Sequence, residues 1–243
     1  MARGRKPRRR KAGRDRTRYL VTGLLVILVG AIVWYAYLLP RAGSGTTGTA
    51  EPVILYVNQG NGVVNVTNFG ELTSFAIAHG FNTIFFQIAR DGVLLFGQQD
   101  LRTFVSSARL DNLSIFFALS FDNPSQQIPT SIYGLGENGI NLDVLNLSYS
   151  SQKSLLASLE AGYGGTTAVT TSNMSSTLKP DMLVLETYGL DFQPYIRHGI
   201  VGSVGVFTTT SEAQYESEVQ YALKNSDGVM VFDYAGLLKS GYY

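Results

Sequence analysis

Three carboxylic acids in this 243-residue chain each break an apolar run. They are Asp143 in residues 140–145 (INLDVL), Glu186 in 182–187 (MLVLET) and Asp233 in 228–233 (GVMVFD). An ionised group in such a setting is costly unless something partners it. Two carboxyl groups flanking a scissile bond, one as acid and one as nucleophile or base, are what glycoside hydrolysis requires. These three acids are the pool for such a pair. Each also has a structural alternative: Asp143 as a buried acid paired with Arg90, Glu186 as a strand-end acid, and Asp233 as a cap for the segment that follows. Asp122, just before Asn123 and Pro124, reads most simply as a turn residue.

Other chemistries lack their equipment. There is no cysteine, which excludes disulfide scaffolds, thiolate metal sites and cysteine nucleophiles. The two histidines, His79 and His198, each precede a glycine and read as helix or turn ends without metal-ligand spacing. Ser203 sits in Gly-Ser-Val-Gly, not in the Gly-x-Ser-x-Gly of a nucleophile elbow. No metal and no cofactor is expected.

The acids are carried by a regular alternation. Eight runs read as strands, at 53–57, 83–88, 114–119, 140–145, 167–171, 182–187, 202–207 and 228–233. Most are continuously apolar, as strands buried on both faces of a parallel sheet must be. Helical spacing falls between several of them, at 68–78, 100–110, 151–161 and 212–223, with Gly80 as a stop for the first. The links around 175–179 and 191–197 have room for a turn or two. Eight strands in a βα alternation make a compact or trimmed (β/α)8 TIM-like barrel the leading architecture. An open doubly wound sheet is the runner-up, without a glycine-rich phosphate loop after its first strand. Only ten residues follow the last strand, which leaves little room for a closing helix.

The N-terminus obeys different rules. Residues 19–39 carry no charge and, as a helix, would be about 31 Å long, close to the ~30 Å of a bilayer's hydrocarbon core. Trp34, Tyr35 and Tyr37 lie at its far end, where amphipathic rings favour the headgroup region. Residues 1–18 hold ten Lys or Arg against Asp15, so the basic tail is expected in the cytoplasm and the remainder outside, with the lipid bilayer as a partner of 19–39. A cleaved signal peptide is the alternative. Residues 40–51 read as a flexible linker, and 52–243 as the extracytoplasmic barrel. Residues 41–243 carry nine Lys or Arg against 17 Asp or Glu, a net of −8, which argues against nucleic acid as a partner. Four Asn-x-Ser/Thr sequons stand at Asn65, Asn112, Asn146 and Asn173, of which Asn146, at a strand end, is expected to be enclosed.

Residues 79–92 (HGFNTIFFQIARDG) resemble the second-strand signature of glycoside-hydrolase-like TIM barrels, in which Gly-Phe-Asn-Thr leads into a strand with a Gln-hydrophobic-Arg-x-x-Gly tip. Residues 101–119 resemble the helix and third strand that follow. Residues 138–143 (NGINLD) are similar to the fourth strand, where an Asp commonly projects, and 178–188 and 226–234 to the sixth and eighth. The resemblance covers most of 52–236 and implies a carbohydrate-active ancestry. In such barrels the site lies at the C-terminal strand ends. That places Glu186, Asp143 and Asp233 as catalytic candidates, with Asn58, Gln87, Arg90, Asn146, Tyr188 and Tyr234 as substrate-binding ones. The strand at 202–207 (GSVGVF) departs from the pattern, because many retaining barrel glycosidases carry a Glu there. The expected activity is therefore hydrolysis or binding of a surface or extracellular glycan by a membrane-anchored barrel. A catalytically inactive glycan-binding module or a structural envelope protein is the alternative.

Overall fold

The apolar runs become strands, and the strands close on one another. The computed structural model describes residues 51–62, 64–186 and 192–243. In chain order it forms β1 (Val53–Val57), α1 (Phe69–Ala78), β2 (Thr83–Arg90), β3 (Val93–Leu94), α2 (Gln98–Leu110), β4 (Ser114–Ser120), β5 (Gly139–Asp143), α3 (Tyr149–Gly162), β6 (Thr166–Thr171), β7 (Met182–Glu186), β8 (Val201–Gly205), α4 (Glu212–Asn225), β9 (Val229–Phe232) and α5 (Tyr234–Ser240). Eight strands run parallel in the order β1-β9-β8-β7-β6-β5-β4-β2, and β1 pairs with β2 to complete the circuit. This is a closed (β/α)8 barrel, and the open-sheet alternative falls. The short β3 pairs antiparallel with the end of β2.

Alternation along each strand sorts side chains between two cores. Ile54, Tyr56, Phe85, Phe116, Ala118, Ala168, Val184, Val201 and Met230 fill the barrel interior. The opposite faces, including Leu55, Ile84, Phe86, Ile115, Phe117, Ile140, Leu142 and Val169, pack outward under the helices. Gly139 permits the interior packing: a Cβ there would meet the Phe116 ring at 2.3 Å and the Thr166 carbonyl at 2.6 Å. Helix ends follow local chemistry. Ser148 and Ser211 cap α3 and α4 by accepting from the backbone N–H of Ser151 and Gln214. Gly80 follows α1 at φ +77°, the left-handed stop that glycine supplies most cheaply.

The outer ring is trimmed. Among the described residues no helix follows β4, β6 or β7; the chain there makes only single 3-10 turns, at Thr130–Ile132 and Gln193–Tyr195. The closing helix, for which the sequence left little room, nevertheless forms as the seven-residue α5. It fits because Asp233 leaves the strand to become its N-cap. Tyr242 and Tyr243 then fasten the chain end: Tyr242 stacks on Tyr215 and donates to the Thr210 carbonyl, and Tyr243 lies against Phe75 and His79. The basic tail, the apolar run 19–39 and the linker as far as residue 50 lie outside the described residues. Among those described, no helix is long and apolar enough to cross a membrane.

Candidate active site at the barrel mouth

The C-terminal strand ends hold a chain of hydrogen bonds that converges on Asp143. Tyr56, inward on β1, donates its hydroxyl to Asp143 Oδ2 at 2.7 Å. Ser120, the last residue of β4, donates to the same oxygen at 2.9 Å. Gln87 on β2 donates from Nε2 to Ser120 Oγ at 2.6 Å, and its Oε1 accepts from the Gln59 backbone N–H at 2.7 Å. Each link buries polar atoms with a partner, as an interior demands. Burial is the largest influence on Asp143 and lifts its carboxyl above the ordinary range, while the two hydroxyls favour its anion and pull it back. Burial first, and the Asp143 charge second, raise the Tyr56 phenol well above its usual value, so it stays a donor.

Glu186 closes β7 in a different state. Its side chain is 6% exposed, and among the described residues it has no hydrogen-bond partner. Burial, and then the negative charge of Asp143, push its carboxyl up to about 9. At neutral pH Glu186 is therefore protonated beside an Asp143 whose hydroxyl donors favour the anion. Both carboxyls are raised by burial, but only Asp143 has hydroxyl donors that favour its anion, and carboxyls in such unequal surroundings can take opposite roles in proton transfer.

A β-bulge completes the mouth. The register of β2 against β4 shifts between Gln87 and Ala89, after which Arg90 lies level with Ser120, and Ser120 level with Asp143. One extra residue thus returns Arg90 to the inward register, as bulges re-aim side chains beside sites. Arg90 is exposed and acts on Asp143 through its charge, not through an ion pair. The expected Asp143–Arg90 pairing is replaced by Tyr56 and Ser120.

The other sequence candidates divide. Gln87 belongs to the network. Asn58 caps the turn Gln59–Asn61 by accepting from the Gly60 N–H. Asn146, expected to be enclosed, is exposed and donates to Asp122 Oδ1 at 2.7 Å, which ties together the loops after β4 and β5. Asp233 is 5% exposed and its Oδ1 accepts from the Gly236 N–H. Tyr234 turns away from the mouth, buried in the outer core with its ring 5.0 Å from Phe75. Tyr188 lies outside the described residues. His79 ends α1 with its ring on Phe75, and His198 meets Asp227 on the surface, so both behave as local structure.

Tyr56 and Ser120 are the site residues that motif reading passed over. Their signal was the alternation itself, since both continue the inward-facing series of their strands. Beneath them Asn141, fully buried on β5, accepts from Thr170 Oγ1 while its own Nδ2 has no partner among the described residues. Beside the network, Phe232 lies 5.2 Å from Tyr56 and 6.4 Å from the 40%-exposed Phe207, an aromatic wall next to the polar groups. A separate groove of about 560 Å³ opens on the outer flank between the loop 124–133 and α3. It is lined by Ser151, Ser154, Ser158 and Tyr133 and contains no carboxyl group, so the acid–base chemistry stays at the mouth.

Comparison with protein-family models and with curated proteins found no match. Solved structures do match. A tamarind chitinase-like lectin superposes with a TM-score of 0.52 at 14% identity, covering 79% of this chain and 98% of its own. The GH18 chitinase ChiB of Flavobacterium johnsoniae gives 0.51 at 10% identity, covering 78% and 89%. The GH113 β-mannanase AaManA of Alicyclobacillus acidocaldarius gives 0.53 at 9%, covering 76% and 87%. At these identities the likeness is one of fold: the barrel is of the kind that glycoside hydrolases and a chitinase-like lectin share.

Proposed function

We propose that the barrel mouth binds a glycan and cleaves a glycosidic bond, with Glu186 as general acid and Asp143 as the ionised partner. The observation that carries this is the state of Glu186, a buried carboxyl without a hydrogen-bond partner among the described residues, kept protonated beside Asp143. A general acid must hold its proton at the working pH, and its partner must not. Asp233 and Asp122 are engaged in a helix cap and a loop contact, which leaves this pair for the chemistry. The aromatic wall of Phe207 and Phe232 suits the apolar face of a sugar ring. The uncharged run 19–39 behind a basic tail supports a barrel tethered on the outer side of a membrane, where surface or extracellular glycans are met.

The test is reducing-end release from a panel of polysaccharides by the full-length chain, kept in a detergent without a sugar headgroup. Glu186→Gln and Asp143→Asn should each abolish release while leaving oligosaccharide binding measurable. Full release by Glu186→Gln would refute the assignment. The enclosure of Glu186 supports a second reading, a binding barrel without turnover, and binding with no release from any substrate would select it.

A further inference from the structure

The charges at the mouth are one-sided. Asp122, Asp143, Glu186 and Asp233 stand at the strand ends, and the cation among them is the exposed Arg90. Among the described residues the ion pair is His198 with Asp227, on the surface and away from these acids. Asp143 receives both of its hydrogen bonds on Oδ2, and no residue described donates to Oδ1. Glu186, inward on β7 and 94% buried by its 6% exposure, has no donor among the described residues. Buried carboxyl oxygens are normally satisfied from within the chain. Here the half-buried Asp143 and the buried Glu186 each present an acceptor that no described residue donates to, and no described basic side chain is paired with either.

We propose that the sugar unit seated against Asp143 and Glu186 carries a free amine, so that the mouth takes unacylated, cationic amino sugars ahead of N-acylated, neutral or acidic ones. The inference rests on the glycan reading above and adds the substrate class. An ammonium presents three donors and a charge, which matches acceptors lacking both. Its hydrogen bond to the Asp143 anion is charge-assisted and stronger than one from a neutral hydroxyl or amide. A uronic acid would bring a further negative charge to a group of carboxyls.

The bound amine also acts on the proton of Glu186. Among the described residues the groups tied to this carboxyl are Asp143 from β5 and Tyr56 from β1, which act on it through charge, and Ser203, its register partner on β8; Arg90, Ser120, Asp122 and Asp233 are the other charged or polar groups at the strand ends. Of these, Asp143 is the charge that holds the proton on. An ammonium beside Asp143 offsets that charge and brings the acid closer to the working pH, where proton donation is most effective. Substrate binding then eases release of the Glu186 proton.

The experiment is calorimetric titration of the full-length chain at pH 6 with tetramers of glucosamine, N-acetylglucosamine and mannose, and with tetralysine, at low and high salt. The glucosamine tetramer should bind at least about tenfold more tightly than either neutral tetramer and lose that advantage in high salt. Asp143→Asn should erase the preference, so that amine and neutral tetramers bind alike. Neutral tetramers binding as tightly as the amine overturn this inference and leave the glycan reading standing. Tetralysine binding as tightly as the amino sugar overturns it in favour of a peptide site. Failure of all three sugars removes the glycan reading as well.

Discussion

The protonation of Glu186 predicts an unusual pH dependence of stability that can be removed by one substitution. The carboxyl has an ordinary value of 4.5 and is pushed to about 9 in the folded barrel. The folded state therefore binds one more proton than the unfolded state between these limits. Its contribution to stability is complete below about pH 4.5, declines as pH rises, and is fully lost above about 9. One proton corresponds to about 1.4 kcal/mol per pH unit. Over the roughly 2.5 units from 4.5 to neutrality the loss is about 3 kcal/mol. Glu186→Gln keeps the size and neutrality of the protonated acid and cannot ionise. Any cost of the new amide is the same at both pH values, and the titration of Asp143 is common to both proteins. The variant should thus gain about 3 kcal/mol on the wild type between about pH 4 and pH 7. For a barrel of this size that is about 6 to 12 °C in melting temperature. Trp34 is the chain's single tryptophan and lies in the apolar N-terminal run, so the barrel is best followed by tyrosine fluorescence or far-ultraviolet circular dichroism in urea. A stability difference that is constant with pH would refute the reasoning.

Tyr56→Phe removes one of the two donors to Asp143 Oδ2. A hydrogen bond to a charged group contributes about 1.5–3 kcal/mol, so the Asp143 titration should move up by about one to two pH units in carboxyl carbon-13 spectra, and an unmoved signal would show that Ser120 alone sets the anion. Gly139→Ala drives a methyl into the Phe116 ring and the Thr166 carbonyl, and overpacking of that kind should lower stability in urea by about 1–3 kcal/mol; an unchanged midpoint would contradict the interior packing. Deleting Tyr242 and Tyr243 removes the ring contacts to Tyr215, Phe75 and His79 and should cost about 1–3 kcal/mol, read as a lower melting temperature, with mouth binding retained.

The barrel was legible because a parallel strand buried on both faces has no polar alternation to confuse it, and all eight runs became barrel strands. Strand ends were less so. Residues 140–145 and 228–233 continue apolar past the last ladder pair, so the reading overran β5 by two residues and took Asp233 into a strand where it caps a helix instead. The carboxyls Asp143 and Glu186 stood out because apolar runs rarely tolerate them, and the structure brings both to one end of the barrel. Their partners did not stand out. Tyr56 and Ser120 are ordinary residues on their strands, and only barrel closure sets β1, β4 and β5 around one oxygen. The bulge at Ile88 has no sequence mark either, yet it decides which way Arg90 faces. Tyr234 failed as a site candidate because one residue past Asp233 the chain has already turned into α5.

The trimmed outer ring divides the molecule into a braced half and a pliant half. β8, β9, β1, β2 and β4 are backed by α4, α5, α1 and α2, whereas the arc from β5 to β7 has α3 alone among the described helices. Local opening is easiest where fewer apolar contacts must be surrendered, so amide exchange should be slow around β1 and β2 and faster toward β6 and β7. Tyr56, Ser120 and Gln87 hang from the braced half, while Asp143 and Glu186 hang from the pliant one. The two carboxyls can therefore change their spacing as a ligand enters while the donors that orient Asp143 stay fixed, so the barrel works as a vice with one stationary jaw.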